Sequence, residues 1–152
     1  MTILHVITLD NDHTNILRKI AERIDFEEFS IIQELIDNMI ETAISIGAIG
    51  LSAPQIGISK QLFILDDRTV CINPVIIGGN SKIISFAEGC ASIDEDKRYD
   101  VKRLREVTIK YFDRFGKLQT LKHRKKLYNI AIQHEIDHLS GKLICDKGRL
   151  RQ

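Results

Sequence analysis

Near its C-terminus the chain contains the segment NIAIQHEIDHLSG, residues 129–141, in which His134, Glu135 and His138 follow an H-E-x-x-H spacing. Two histidines four residues apart lie on one face of an α-helix, about 40° from eclipsed, because the helix turns once in about 3.6 residues. Two imidazoles placed in this way can bind one metal ion, and the adjacent glutamate can transfer a proton. A catalytic site of this kind uses three protein ligands and one open position. The third ligand therefore decides the class of enzyme.

The helix that carries this motif is predicted to begin near residue 124 or 125 and to stop at Gly141. Its apolar stripe runs into the two histidines and consists of Leu127, Ile130 and Ala131. The histidines therefore face the core, where polar groups need partners, and a metal ion supplies one for both. An accidental motif on a solvated helix is the alternative, and chance gives the pattern in roughly one such chain in a hundred. We interpret the motif as a metal site.

The third ligand is expected upstream of this helix. No glutamate follows His138, which argues against a thermolysin-like peptidase, and a metzincin would need a ligand where the chain has Ile144. Cys90, in the segment EGCAS, has small neighbours that let a metal approach, and its thiolate is a strong ligand. For Cys71 and Cys145 a buried or structural thiol is the simpler interpretation. The candidates that remain open are Cys90, Cys71, His5, His13, His123 and several carboxylates.

Composition limits the broad class of protein. With 152 residues, 43% hydrophobic and 28% charged, the chain is expected to form one domain over residues 1–152. A net charge of +1 gives no general attraction to DNA or to anionic membranes, and no apolar run is long enough to span a bilayer. The N-terminal segment MTILHVITLDND lacks the basic region of a signal peptide. Three cysteines at irregular spacing argue against a disulfide framework and favour a reducing cytoplasm.

The hydrophobic pattern predicts an α+β arrangement. A brief helix is expected over 14–23 and a longer one over about 26–46, with a capping box from Asp25 and Glu28 and a stop at Gly47. Short strands are expected at QLFILDD, TVCINP and KIISFAEG, after the irregular segment LSAPQIG. Alternating residues over 106–123 predict a β-hairpin around the turn DRFG.

Three segments, AIGLSAPQ (48–55), EGCAS (88–92) and QHEIDH (133–138), resemble in order and spacing the three motifs of peptide deformylases, usually written G-x-G-L-A-A-x-Q, E-G-C-L-S and Q-H-E-x-D-H. The resemblance extends over nearly the whole chain. It implies an α+β fold with a long N-terminal helix, antiparallel sheets and a metal-bearing C-terminal helix. It also implies removal of the N-formyl group from the initiator methionine of nascent polypeptides, with release of formate.

The resemblance implies a role for each matching residue. The metal ligands would be Cys90, His134 and His138, holding one divalent ion, Fe(II) in most members, with zinc, nickel or cobalt able to replace it. Glu135 would accept the proton of a water molecule whose pKa the ion lowers, and would later deliver it to the departing amine. Gln55 and the backbone N–H of Ala91 would stabilise the oxyanion.

The supporting residues form two further groups. The substrate groove would be formed by Ala48, Ile49, Gly50, Leu127, Ile130 and Ala131, with Gly50 allowing close approach of the substrate backbone; for the apolar members a purely structural core role is the alternative. Behind the ligands, an ion pair of Glu88 and Arg103 would brace the cysteine loop, and Asp137 would join this group, although it could equally be solvated.

The sequence departs from the family pattern at several positions. Ala48 replaces a glycine and would be strained if that position needed a positive φ. Ser52 replaces an alanine and is expected to be tolerated. Ala91 replaces a leucine, which predicts a roomier methionine pocket. The short segment after His138 resembles that of the short members found in phage genomes and predicts weak ribosome association at most. The basic run HRKK (123–126) is interpreted as a solvated helix start.

Two rival functions follow from the same residues. A peptidase would need a downstream ligand or a glutamate. A metal-stabilised binding module, without catalysis, would have no use for Glu135 or Gln55. We therefore expect a monomeric cytoplasmic enzyme whose partners are N-formylmethionyl peptides and nascent chains.

Overall fold

The computed structural model describes residues 1–152 and is built on one antiparallel sheet of six strands. The strands are β1 (Gly50–Ser52), β2 (Leu62–Leu65), β3 (Val70–Glu88), β4 (Tyr99–Phe112), β5 (Leu118–Lys122) and β6 (Arg149–Leu150). Strands β1 to β5 are neighbours in chain order, and β6 pairs with the start of β4. The helices are α1 (Gln33–Ser45), α2 (Lys126–Leu139) and α3 (Ile144–Lys147). Four 3₁₀ turns lie at Leu9–Asn11, Ile16–Arg18, Phe26–Glu28 and Ala53–Ile56. The predicted α+β class is confirmed, and none of the helices combines the length and apolar character that crossing a bilayer requires.

The predicted metal-bearing helix is present as α2. Two of its buried amide side chains bind the backbone of β4 between the stretches that pair with β6 and β5. Asn129 Oδ1 accepts the N–H of Val107 at 2.9 Å, while Gln133 accepts from the N–H of Leu104 at 3.0 Å and donates to its carbonyl at 2.8 Å. These bonds satisfy backbone groups on the stretch of β4 that pairs with neither β5 nor β6. They also fix the rotation of α2 about its own axis.

The sequence pattern predicts the last hairpin correctly but predicts two separate strands where the structure has one. The expected hairpin is present as β4 and β5. The segments TVCINP and KIISFAEG, expected to be separate strands, belong to the single strand β3. Three shifts of register along the β3–β4 pairing, at Ile72/Val75, Ile76/Gly78 and Asn80/Ile83, let the strand continue past Pro74. The end of β3 places Glu88 two residues before Cys90.

The N-terminal helices are shorter than predicted. Only Ile16–Arg18 is helical within 14–23, because the Asp12 carboxylate accepts the N–H groups of Ile16 at 2.9 Å and Leu17 at 3.0 Å and holds a tight turn. The long helix begins at Gln33 rather than near residue 26, and it ends as expected before Gly47. Asp25 and Glu28 do form a capped turn, with the Asp25 N–H 2.8 Å from the Glu28 carboxylate, but this turn is a separate 3₁₀ segment.

The early 3₁₀ turn brings two aromatic rings against the sheet. Phe26 stacks on Phe29 with 5.3 Å between ring centroids, and both rings pack edge-on against Phe112 of β4. Helix α1 packs against β1 and β2, while α2 covers the neighbouring part of the sheet. The N-terminal segment and α3 close a third apolar cluster around Cys90. The functional residues lie where β1, the end of β3 and α2 meet.

Candidate active site

The three predicted metal ligands converge on one point. Nε2 of His138 lies 3.2 Å from Nε2 of His134 and 3.4 Å from Sγ of Cys90. The ligand atoms of the three residues all lie within 4.8 Å of one another. The other candidate ligands, His5, His13, His123 and Cys71, are outside this group. Burial in β3 raises the pKa of the Cys71 thiol well above its usual range, so this sulfur stays protonated.

Glu88 orients the first histidine. Nδ1 of His134 lies 2.9 Å from the Glu88 carboxylate, which can only accept a hydrogen bond. Nδ1 therefore carries a proton, and Nε2 is the nitrogen left for a metal ion. Burial disfavours a charge on His134, but hydrogen bonding to Cys90 and Glu88 outweighs burial and raises the pKa of the imidazole well above its usual range, so a metal ion at Nε2 would displace a second proton.

A buried guanidinium holds the carboxylates behind the ligands. Arg103 donates to both oxygens of Glu88, at 2.7 and 2.8 Å, and also binds Asp137 of α2. Burial favours the neutral form of Glu88, but the hydrogen bonds from Arg103 and His134 outweigh it and lower the pKa of Glu88. Lys147 of α3 adds a second positive charge 3.0 Å from the Asp137 carboxylate. The ion pair predicted between Glu88 and Arg103 is thus present in the geometry, and Asp137 of α2 also binds Arg103.

The second histidine is held neutral. Burial, together with the positive charges of His134 and Arg103, lowers the pKa of His138 well below its usual range. A neutral imidazole is the form that binds metal. Its Nδ1 is buried without a protein hydrogen-bond partner.

Glu135 differs from Glu88 and Asp137, because neither an arginine nor a lysine pairs with its carboxylate. It is 3% exposed, and burial raises its pKa to about 7. Its Oε2 is buried without a partner. A buried carboxylate oxygen left free beside a cysteine sulfur and two imidazoles fits a metal centre that activates water, because such a water needs an adjacent proton acceptor. A cation held by the ligands would favour the carboxylate and bring this pKa down.

Gly50 makes room for this carboxylate. A Cβ atom at Gly50 would lie 2.7 Å from Oε1 and 2.9 Å from Cγ of Glu135, closer than such atoms approach in proteins. From the sequence, Gly50 was explained by the close approach of a substrate backbone. The structure adds a reason within the chain itself, since any larger residue at this position of β1 would displace Glu135.

The two predicted oxyanion donors lie close to Cys90. Nε2 of Gln55, from the 3₁₀ turn after β1, is 3.7 Å from the Cys90 sulfur, and the side chain is 2% exposed. Ala91 follows Cys90 directly, and its backbone N–H donates to no acceptor within the protein. Both groups are therefore available to an oxygen atom placed beside the ligands.

A cleft of about 700 Å³ opens beside the ligand cluster. All six predicted groove residues line it, namely Ala48, Ile49, Gly50, Leu127, Ile130 and Ala131. Ala48 is under no backbone strain, because the residues other than glycine with a positive φ are Asn15, Arg68 and Asn73. Three of the predicted site residues do not line the cleft and lie behind its wall: His138, Arg103 and Asp137.

Sequence reasoning missed one large side chain on this wall. Phe86 lines the cleft, and the ammonium of Lys126 lies 5.5 Å from the centre of its ring. Phe86 is two residues before Glu88 on the same strand, so both side chains lie on the same face of β3. The alternation of side chains along a strand is therefore the sequence signal that could have identified Phe86. The rim also includes Glu95, Asp96 and Arg98, which no motif had indicated.

Comparison with known proteins decides the family. The sequence model of the polypeptide deformylase family matches residues 3–152. The chain belongs to this family. A peptide deformylase of Buchnera aphidicola is 37% identical in an alignment of 152 positions, which covers 96% of this chain and 98% of that protein. The crystal structure of a peptide deformylase from Legionella pneumophila superposes with a TM-score of 0.87 at 35% identity, over 96% of this chain and 86% of that one. A peptide deformylase from Acinetobacter baumannii, bound to Met-Ala-Ser, has a TM-score of 0.86 at 28% identity, over 96% and 98% of the two chains.

Membership of this family gives the activity. The chain is a metal-dependent hydrolase that removes the N-formyl group from nascent polypeptides. The expectation drawn from the three motifs is confirmed at the level of fold, enzyme class and reaction. The individual roles of the residues remain to be assigned from the geometry.

Proposed function

We propose that Cys90, His134 and His138 hold one divalent metal ion and that Glu135 carries out the proton transfers of deformylation. The observation that carries this assignment is the approach of one sulfur and two imidazole nitrogens to within 4.8 Å of one another, beside a buried carboxylate oxygen that has no partner. Fe(II) is our choice of ion. A thiolate with two imidazoles also accepts zinc, nickel or cobalt.

The bound ion supplies Lewis acidity, which lowers the pKa of a water molecule toward neutrality and polarises the formyl carbonyl. Glu135 then transfers the protons. Its free Oε2 accepts the proton from the attacking water and returns it to the amine as the C–N bond breaks. Because the Glu135 carboxyl group is buried, it is shielded from bulk solvent and can hold the proton between the two steps. The products are formate and a free amino terminus.

Gln55 and Ala91 stabilise the charge that develops on the formyl oxygen. The Gln55 amide and the Ala91 N–H are donors close to Cys90, and both are fixed by the fold before substrate arrives. Removal of one preorganised donor of this kind costs about a hundredfold to a thousandfold in rate.

The substrate is a peptide that begins with formylmethionine. We assign the methionine side chain to the apolar end of the cleft, formed by Leu127, Ile130 and Ala131 with the ring of Phe86. The Met-Ala-Ser complex of the Acinetobacter baumannii relative supports a substrate with this first residue. Gly50 and Ile49 form the rim along which the peptide backbone lies.

The setting follows from the substrate. Formylated nascent chains are made in the bacterial cytoplasm, where reduced cysteines such as Cys90 persist. We propose that the chain, residues 1–152, acts there as a monomeric catalytic domain that associates weakly with the ribosome.

Formate release from formyl-Met-Ala-Ser is the direct test, on protein purified without oxygen and with its metal content measured. We expect one metal ion per chain and formate release that depends on it. Glu135→Gln should keep the metal and lose activity by about a hundredfold to ten-thousandfold. Glu27→Gln, a change of the same chemistry on an exposed residue, is the matched control and should leave both unchanged.

Each alternative has a distinct outcome. Fully metallated protein that releases no formate would support a binding module. Cleavage of internal peptide bonds would support a peptidase. Full activity in Glu135→Gln would remove Glu135 from the mechanism.

A further inference from the structure

Ser52 occupies a position where the family motif has alanine, and its side chain is fully buried beside the active site. Its hydroxyl group lies 3.1 Å from Oε1 of Gln55, and its backbone N–H lies 3.0 Å from the same atom. The Gln55 carbonyl oxygen thus accepts two hydrogen bonds from one residue. The N–H bond is available to any residue except proline, whereas the hydroxyl bond depends on serine.

The other end of the same amide faces the metal ligands. Nε2 of Gln55 is 3.2 Å from the Ser92 hydroxyl and 3.7 Å from the Cys90 sulfur. An amide nitrogen carries two hydrogens, so one can bind Ser92 while the other remains available beside Cys90. If the amide flipped, its NH₂ would face the Ser52 N–H, donor against donor. The contacts of Ser52 therefore set which end of Gln55 faces the substrate.

We propose that Ser52 is a positioning residue for deformylation: its hydroxyl holds the Gln55 amide with the NH₂ toward the developing oxyanion. This rests on the role proposed above for Gln55. A hydrogen bond to the carbonyl of an amide also polarises its N–H bonds and makes them better donors, an effect of about 10–30% per bond. Because the Ser52 N–H remains after truncation, loss of the hydroxyl should lower kcat by about threefold to tenfold, the equivalent of one ordinary hydrogen bond.

A purely structural role for the hydroxyl predicts something different. Ser52 precedes the 3₁₀ turn Ala53–Ile56 and could simply stabilise that turn. In that case its removal would lower the melting temperature, and any loss of rate would be the same whether or not Gln55 is present. Coupling between Ser52 and Gln55 therefore separates the two roles.

The test is a double-mutant cycle with Ser52→Ala and Gln55→Ala, measured as kcat and KM for formyl-Met-Ala-Ser. We expect Ser52→Ala to lower kcat by about threefold to tenfold, with KM changed less than about twofold. In the Gln55→Ala background the same substitution should have no further effect. Equal loss in both backgrounds would overturn the proposal. If Gln55→Ala alone leaves kcat unchanged, the proposed role of Gln55 itself is wrong, which is a separate result.

A matched pair of substitutions controls for changes of packing at this buried position. Ser52→Thr and Ser52→Val introduce side chains of the same shape that differ only in the hydroxyl group, so any steric cost cancels between the two variants. The threonine variant should be faster than the valine variant by the same factor of about three to ten, and equal rates would overturn the proposal. Ser45→Ala removes a hydroxyl bond of 2.8 Å to the Thr42 carbonyl within α1, which involves neither Gln55 nor a ligand, and should leave kcat unchanged.

A measurement independent of turnover completes the experiment. The side-chain NH₂ resonances of Gln55, identified by their loss in Gln55→Ala, can be followed by NMR in the protein loaded with zinc, which is diamagnetic. We expect them to shift in Ser52→Ala and Ser52→Val and to stay in place in Ser52→Thr. Resonances that are unchanged in all three variants would contradict the proposed hydrogen bond.

Discussion

The two sides of the active site are held by different forces. Around the ligands, directional bonds connect residues of different elements: Glu88 to His134, Arg103 to Asp137, Ser52 to Gln55. The cleft wall formed by Ala48, Phe86, Ala91 and Leu127, which we call the apolar wall, has no comparable side-chain bonds and is partly exposed. Directional bonds fix atoms closely, whereas apolar contacts tolerate changes of shape. Substitutions should therefore lower metal affinity or rate on the first side and change substrate preference on the second.

Loss of a ligand should have the largest effect. Cys90→Ala leaves two imidazoles, too few for a stable catalytic site, and should remove both bound metal and measurable formate release. Metal analysis after dialysis, together with the formate assay, checks this. Cys145→Ala is the control, because this partly exposed thiol of α3 lies outside the ligand group. Metal bound at full stoichiometry in Cys90→Ala would show that the third ligand has been wrongly assigned.

Displacement of the general base should come next. In Gly50→Ala the new methyl group would overlap Oε1 of Glu135, and a misplacement of about 1 Å can cost about a hundredfold in rate. Metal content should be unchanged, since no ligand moves. Gly78→Ala provides the matched control, because a Cβ at Gly78 meets nothing within 4 Å and its φ is not positive. Equal kcat in the two variants would mean that Glu135 has more freedom than the packing indicates.

Weakening the contacts of Glu88 with His134 and Arg103 should lower metal affinity rather than the rate of the chemical step. Glu88→Gln keeps an oxygen for Nδ1 of His134 but removes the negative charge between His134 and Arg103. Changes of this kind typically reduce metal affinity by about tenfold to a hundredfold. Competition with a chelator, followed by kcat at saturating metal, separates the two effects. A variant that loses kcat at full metal occupancy and keeps its affinity would contradict the assignment of Glu88 to metal binding.

The apolar wall should give the smallest and most selective response. Ala91→Leu restores the residue usual in the family motif and narrows the cleft, while the backbone N–H is kept. We expect the ratio of kcat/KM values for formyl-Met over formyl-Phe peptides to rise about fivefold, because a methylene more or less in an apolar pocket is worth about 1–3 kcal/mol and an exposed position such as Ala91 should give the low end of that range. An unchanged ratio would show that Ala91 does not shape this pocket.

The same contrast explains how far sequence could predict the molecule. Helix α2 and the β4–β5 hairpin were predicted because their apolar residues follow the helical or alternating period within one segment. The long strand β3 was divided in two because its continuity past Pro74 depends on bulges formed against β4. The start of α1 was misplaced because Phe26 and Phe29 pack against Phe112, a residue distant in sequence. Patterns within a segment do not encode such contacts.

Within the site, residue types and spacing indicated which groups could be ligands, donors or bases. They did not indicate what holds those groups in place. The contact between Gly50 and Glu135 and the hydroxyl bond from Ser52 both depend on the path of the backbone in three dimensions. Phe86 was overlooked although its spacing from Glu88 places both on one face of β3.

The two amide side chains of α2 have a consequence for how the enzyme acquires its metal. Asn129 and Gln133 fasten the helix to β4 through bonds that involve no ligand atom. The imidazoles of His134 and His138 should therefore keep their positions when the ion leaves. Metal ions can then exchange while the protein stays folded. The identity of the bound ion would therefore depend on which ions are available around the enzyme. Circular dichroism of the chelated protein should retain the signal of α2.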